Sequence, residues 1–423
     1  MSEGSNVYSR VIVPLVKHSR IIITNHSVFI SAILAIAILK LLYSSVAPAS
    51  HDLQAITLFP QFPNSPWVIL EVRLFDLWKL LMSSTATDTA EWAVTPPSAM
   101  GPSFRLLSLL LRLPAFFADV GLSLGLFLVT MKMTQSIELS RLSSLIWFLN
   151  PFNFWAAELL GVPDVAVALL TVVSLLFLLY KRFIPAYLTL SLAVALKLYP
   201  ILLVPPIALY MARTSKSWRR VIPVITLSAV GLLGYLAWLY PYSVAVLSSD
   251  YTPVSQPLNL FIIQFTLGQG GTVSMTMVAL VLTYLIIWAL HKSELVSTIV
   301  LTLLVYYLFS NPYPQYFIWV FPFLTLDIVL LKKNRTTLFG LLVFFIFAYW
   351  TIVSQAFSTP SNYSLLLIPI TQPLMDFMGS SVTKVLLLPL LNAGLYASIL
   401  IYAIDIVRDA FRNKTNVVVE GKL

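Results

Sequence analysis

Two carboxylates and one ammonium at the edges of apolar runs are the groups in this chain best placed to do chemistry: Asp52, Asp164 and Lys197. Ionisable side chains are expensive next to hydrocarbon, so their positions carry functional information. Asp52 lies in Ser50-His51-Asp52-Leu53-Gln54, just beyond the first apolar run, where a surface carboxylate could act as general base toward a hydroxyl. It could equally cap the segment that follows, and His51 could either join Asp52 as a metal ligand or cap the loop. Asp164 closes Gly161-Val162-Pro163-Asp164, a break between two apolar runs that also suits a helix start. Glu158 stands about two helical turns before it, with Pro163 interrupting the helix between them. Lys197, in Lys197-Leu198-Tyr199-Pro200, could bind a phosphate or simply snorkel from a span end. Arg112 could be a second phosphate ligand, or it could form an ion pair with Asp119 one or two turns on. Gln315, Tyr316 and Trp319, in Asn311-Pro312-Tyr313-Pro314-Gln315-Tyr316-Phe317-Ile318-Trp319, could stack on or hydrogen-bond a sugar, although interfacial aromatic belts use the same residues.

The elements that must hold these groups are apolar. Of the 423 residues 59% are hydrophobic and only 10% charged, which excludes a soluble globular domain and predicts an all-α polytopic membrane protein. Hydropathy places about twelve transmembrane helices near 28–46, 104–130, 142–159, 165–180, 184–197, 200–212, 221–240, 273–290, 296–310, 316–331, 337–354 and 383–406. The runs at 184–197 and 200–212 are short for an upright span, so they are expected to be broken or re-entrant and to line a cavity. No cleavage site follows the basic N-terminal stretch, so the first span is expected to be retained.

Basic residues such as Arg20, Lys132, Arg141, Lys181, Arg213, Lys292, Lys332 and Arg408 fall on alternate loops, which places both termini in the cytoplasm. Asp52, Glu71, Asp76, Glu158 and Asp164 fall toward the opposite, outer side. The net charge of +9 is therefore an inner basic rim facing an outer acidic face, and calls for membrane lipids and no nucleic-acid partner. Residues 1–27 read as a cytoplasmic segment, 28–407 as one membrane domain with 47–103 as its first outer loop, and 408–423 as a cytoplasmic tail. Within the outer loop, Leu70, Leu74, Leu77, Leu80 and Leu81 follow helical spacing, which predicts an interfacial amphipathic helix. Gly268-Gln269-Gly270-Gly271 is expected to be a turn with no strand before it. With no Cys, the chain can form neither disulfides nor thiolate metal sites.

In order, spacing and outer placement, Asp52, Arg112-Leu113-Pro114 with Asp119, Asn150-Pro151, Gly161 to Asp164, Lys197 to Pro200 and Gln315 to Trp319 resemble one known group. It is the GT-C superfamily of glycosyltransferases that use lipid-linked sugar donors, in particular the GPI mannosyltransferase catalytic subunit family and its prokaryotic relatives. The resemblance implies a GT-C-like helical bundle and an inverting transfer of a hexose, mannose by analogy. The donor would be a polyprenyl- or dolichyl-phosphate sugar and the acceptor a lipid or glycan, on the outer or lumenal face of a plasma membrane or endoplasmic reticulum. It further implies Asp52 as base, Asp164 positioning the acceptor or a divalent metal ion (Mn2+ or Mg2+), and Lys197 with Arg112 on the phosphate. A small accessory membrane subunit is a further implied partner. The family's Asp-x-Asp pair is reduced here to a single Asp52. Two other classes remain open on the residues: a non-catalytic subunit of a glycolipid-processing complex, and a lipid or solute transporter.

Overall fold

The structure, a computed structural model, describes residues 27–46, 66–82, 101–215, 219, 221–247, 264–267, 271–289, 294–309, 314–331, 335–357 and 388–420. Every one of the twelve apolar runs contains helix. The order is α1 (Ser27–Val46), α2 (Pro66–Leu81), α3 (Pro102–Thr134), α4 (Ile137–Phe148), α5 (Pro151–Phe154) running into a π-helical turn (Trp155–Leu160), α6 (Asp164–Leu179) and α7 (Phe183–Leu196). A 3-10 turn (Tyr199–Leu203) leads to α8 (Val204–Ser215), then α9 (Ile222–Leu247), strands β1 (Gln264–Leu267) and β2 (Gly271–Ser274), α10 (Met275–Ala289) and α11 (Leu295–Leu308). A second 3-10 turn (Pro314–Trp319) precedes α12 (Phe321–Leu331), α13 (Thr336–Phe357) and α14 (Leu388–Glu420).

Among the described residues two helical stretches, Pro102–Thr134 and Pro389–Phe411, are long and apolar enough to cross a membrane. Shorter apolar helices of 10–17 residues fill most of the other runs. The run at 200–212 opens as a 3-10 turn at Tyr199 and becomes α-helical from Val204, whereas the run at 184–197, also expected to be broken or re-entrant, is one unbroken helix. The structure adds to three of these points. β1 pairs antiparallel with β2, so a strand does precede the glycine cluster. α14 continues past residue 407 to Glu420, so residues 408–420 of the expected tail are helical. Asp164 is the first helical residue of α6, with Pro163 in the cap position and no side-chain cap bond, so Asp164 is not a cap.

α3 and α6 form the centre, with α4 against α3, α7 between α6 and α9, and α14 against α11 and α13. The close packing of α7 and α9 depends on Gly231: a Cβ there would lie 2.4 Å from the Ser191 carbonyl oxygen. α2 matches the helix expected in this segment. It buries Trp78 against Leu107 and Leu111 of α3, and the Trp78 indole donates to the Ser103 carbonyl at 2.9 Å. Leu70, Leu77, Leu80 and Leu81 on its other face stay exposed.

At one end of the bundle, Arg335 ties three helices together. Its guanidinium donates to Asp327 of α12 at 2.9 and 3.1 Å, and to Asp405 and Asp409 of α14 at 3.0 and 2.8 Å. Asp327 also accepts from Ser297 of α11 and Tyr402 of α14. Arg408 closes on Asp405. These residues sit on the side that the Lys/Arg alternation assigns to the cytoplasm.

Candidate functional site

The site is built on three chain breaks at the opposite end. The first follows α5, whose start is fixed by the Asn150 side chain accepting from the Phe152 N–H at 2.9 Å ahead of Pro151. The helix then widens into the π turn and stops at Gly161, whose left-handed conformation (φ 70°) lets its N–H reach the Ala156 carbonyl. Val162 and Pro163 turn the chain so that Asp164 opens α6. The second break follows α7, where Lys197 is extended (φ −155°, ψ 142°) and Tyr199 begins a 3-10 turn. The third is the 3-10 turn ending in Trp319, which is fastened to α11 by the Tyr307 hydroxyl donating to the Tyr316 carbonyl.

These breaks bring Asp164, Lys197, Tyr199, Tyr316 and Trp319 into one cluster. Lys197 Nζ lies 2.7 Å from Asp164 Oδ2, and the Trp319 indole N–H donates to Asp164 Oδ1. Trp319 stacks on Tyr199 at 4.0 Å and 7° between ring planes, and on Tyr316 at 4.5 Å and 19°. The Lys197 ammonium lies 5.0 Å from the Tyr316 ring centre and 5.8 Å from that of Trp319, within cation–π range. The Asp164 side chain is 1% exposed while that of Lys197 is 27% exposed. An anion arriving from outside therefore meets the lysine, with the carboxylate behind holding it in place. Trp319 and Tyr199 are buried in the stack, so they form a wall and not a sugar platform; Tyr316, half-buried, is the ring that faces outward. Gln315 belongs to the same turn.

A second charged cluster lies on the other flank of the Glu158-to-Asp164 bend. Lys40 of α1 reaches Asp119 Oδ2 at 2.6 Å and Glu158 Oε1 at 3.4 Å. Asp119 Oδ1 accepts from the Trp147 indole at 2.7 Å and from the Asn153 amide. The pattern repeats that of Asp164: one carboxylate oxygen on a lysine, the other on an indole. Glu158 thus turns toward Lys40 and does not share Asp164's cluster, because the π turn and Pro163 change the helix phase between them. Asp119 pairs with Lys40, while Arg112 donates from Nη1 to Ser108 on its own helix, at 2.5 Å to the hydroxyl and 3.2 Å to the carbonyl. Arg112 is fully buried, which separates it from the accessible Lys197. Nothing local in the sequence marks Trp147 or Asn153, whereas Lys40 is a lone lysine inside the apolar run Ser27–Val46, which is itself a signal.

His51 and Asp52 lie outside the described residues. Among the described residues no three His, Asp or Glu side chains converge as a metal site. Between α5, α12 and α13 an apolar cavity of about 280 Å³ is lined by Phe152, Phe321, Val343, Phe344 and Ile346, with Asn150 and Gly340 at its edge.

Fold and site together define a class: a helical protein with membrane-length apolar helices and an accessible lysine on an aromatic wall at one end of its bundle. No particular family is shown, since no family model, no curated protein and no solved structure matches the chain.

Proposed function

We propose that the chain is a polytopic membrane glycosyltransferase of the GT-C type. It moves a hexose, mannose on the resemblance, from a polyprenyl- or dolichyl-phosphate donor to a lipid-linked or glycan acceptor at the outer or lumenal face. The observation that carries this reading is the convergence of Lys197, Asp164, Tyr199, Tyr316 and Trp319 from three separate segments into one cluster with the ammonium accessible.

In this reading Lys197 receives the donor phosphate, and Asp164 and Trp319 fix the lysine so that little rotamer freedom is lost on binding. Tyr316 borders the sugar. The apolar cavity beside Phe152 and Phe321 suits an isoprenoid chain. The acceptor oxygen attacks the anomeric carbon, the bond from that carbon to the phosphate oxygen breaks, and polyprenyl phosphate departs with its charge neutralised by Lys197. Asp52 takes the acceptor proton. A divalent metal ion, if one takes part, belongs with His51 and Asp52. The buried Lys40–Asp119–Glu158 cluster is the observation that favours a second reading, a solute or lipid transporter, since charge inside a helical membrane bundle commonly marks a transport path.

The test is sugar transfer from a polyprenyl-phosphate mannose donor in membranes holding wild type or Asp52→Asn at matched expression. Transfer by wild type with loss of at least about 100-fold in the variant is expected for a general base. Equal activity would remove Asp52 from the mechanism. No transfer from several donors, with substrate movement across vesicles, would favour the transporter.

A further inference from the structure

The Lys40–Asp119–Glu158 cluster has a charge imbalance that its surroundings do not correct. Lys40 is 4% exposed and the side chains of Asp119 and Glu158 are fully buried. If both acids were ionised, a single ammonium would face two carboxylates, leaving one uncompensated negative charge away from water.

The hydrogen bonds are equally uneven. Asp119 is supplied with donors by Lys40, Trp147 and Asn153. Neither oxygen of the Glu158 carboxyl has a hydrogen-bond partner among the described residues, and Asn153 Oδ1 is also unsatisfied. A carboxylate is acceptor-only, and the donor that approaches Glu158, Lys40 at 3.4 Å, is held more closely by Asp119 at 2.6 Å. What lies beside it is the Asp119 carboxylate, an acceptor.

The elements packed against the π turn are α1, α3 and α5. α1 contributes Lys40 alone, and α5 carries no charged residue. On α3, Arg112 is engaged with Ser108, while Arg105 and Lys132 are exposed toward the helix ends. Asp164, just beyond the turn, is held by Lys197. The charges acting on Glu158 are those of Asp119 and Lys40.

We propose that this cluster is a one-proton binding site: the Glu158 carboxyl carries the proton and donates it as an O–H···O hydrogen bond to Asp119, so that the buried group is neutral overall. One hydrogen atom corrects both faults, since it cancels the surplus charge and converts Glu158 from an acceptor without a close donor into a donor beside an acceptor. A metal cation would correct the charge as well, but Lys40 already occupies the space between the two acids at 2.6 and 3.4 Å. The site stands independently of the glycosyltransferase reading.

The test uses the full chain in lipid nanodiscs at pH 7 and reads the infrared C=O stretch of a protonated carboxylic acid. Wild type is expected to show the band, uniform [13C]glutamate labelling to shift it, and Glu158→Gln to abolish it. The same variant should melt within about 2 °C of wild type, because glutamine mimics the neutral acid with its amide donating to Asp119, while Lys40→Met melts markedly lower. Absence of the band, or a band untouched by glutamate labelling, would overturn the proposal. So would a band that appears only when choline replaces Na+, since that assigns the site to a metal cation. A loss of stability in Glu158→Gln as large as in Lys40→Met would show that Glu158 is ionised and paired with the lysine.

Discussion

Both oxygens of Asp164 are taken, one by Lys197 and one by the Trp319 indole, so its work is done through the lysine. Lys197→Gln is expected to lower kcat/KM for the phospholipid-sugar donor by about 10- to 100-fold, equivalent to about 1.4–3 kcal/mol for a charge-assisted bond. Trp319→Phe keeps a ring between its tyrosine neighbours but removes the indole donor from a buried carboxylate, so it should cost less activity than Lys197→Gln while lowering stability by about 1–3 kcal/mol. Steady-state transfer assays with a melting curve for each variant check both. Lys197, Asp164, Tyr199, Tyr316 and Trp319 were legible from sequence because each sits beside a proline- or glycine-marked break between apolar runs. Their mutual contacts were not, since Trp319 and Asp164 are 155 residues apart and no local pattern encodes such a meeting. Glu158 stands out in the sequence as a polar residue, but its neighbours do not, because phase through a π turn cannot be counted from α-helical spacing.

Among the elements, apolar runs located the helices well, whereas their ends depended on chemistry that hydropathy does not see. α3 extends to Thr134, beyond the apolar run, and ends at Gln135 in a left-handed cap. The hairpin before α10 was missed because Gln264–Leu267 and Gly271–Ser274 are too short for a strand pattern to stand out against apolar neighbours. The Arg335 clamp makes a sharper demand on its elements than any single apolar contact. With 4% of its side chain exposed, Arg335 meets Asp327 at 2.9 Å and Asp405 at 3.0 Å. Arg335→Ala would leave these acids without their shared cation and should destabilise the chain by about 3–5 kcal/mol, the usual cost of breaking a buried pair. Thermal melts in detergent check it; a loss under about 1 kcal/mol would mean that water reaches the acids.

Across the whole molecule, the two ends of the bundle differ in kind. The Lys197 and Lys40 clusters lie toward the end that basic-residue alternation assigns to the outside, and the Arg335 network lies at the other. Glu294 opens α11 beside that network. Partial desolvation holds its carboxyl above the usual range, Asp327 adds to the effect and Arg335 partly offsets it. The folded chain therefore holds a proton that the unfolded chain releases near the ordinary value of 4.5, and stability falls as pH rises from there through the raised folded value. Glu294→Gln should flatten that slope and match or exceed wild type at the high-pH end, as melts across the pH range would show. The partners of Arg335 and Asp327 come from α11, α12 and α14, and α14 follows the other two in the chain. Without α14, Arg335 keeps Asp327, and Asp327 keeps Arg335 and Ser297. A chain lacking α14 would therefore keep Arg335 and Asp327 inside the bundle without Asp405, Asp409 and Tyr402, an open polar seam where the whole fold has a closed one.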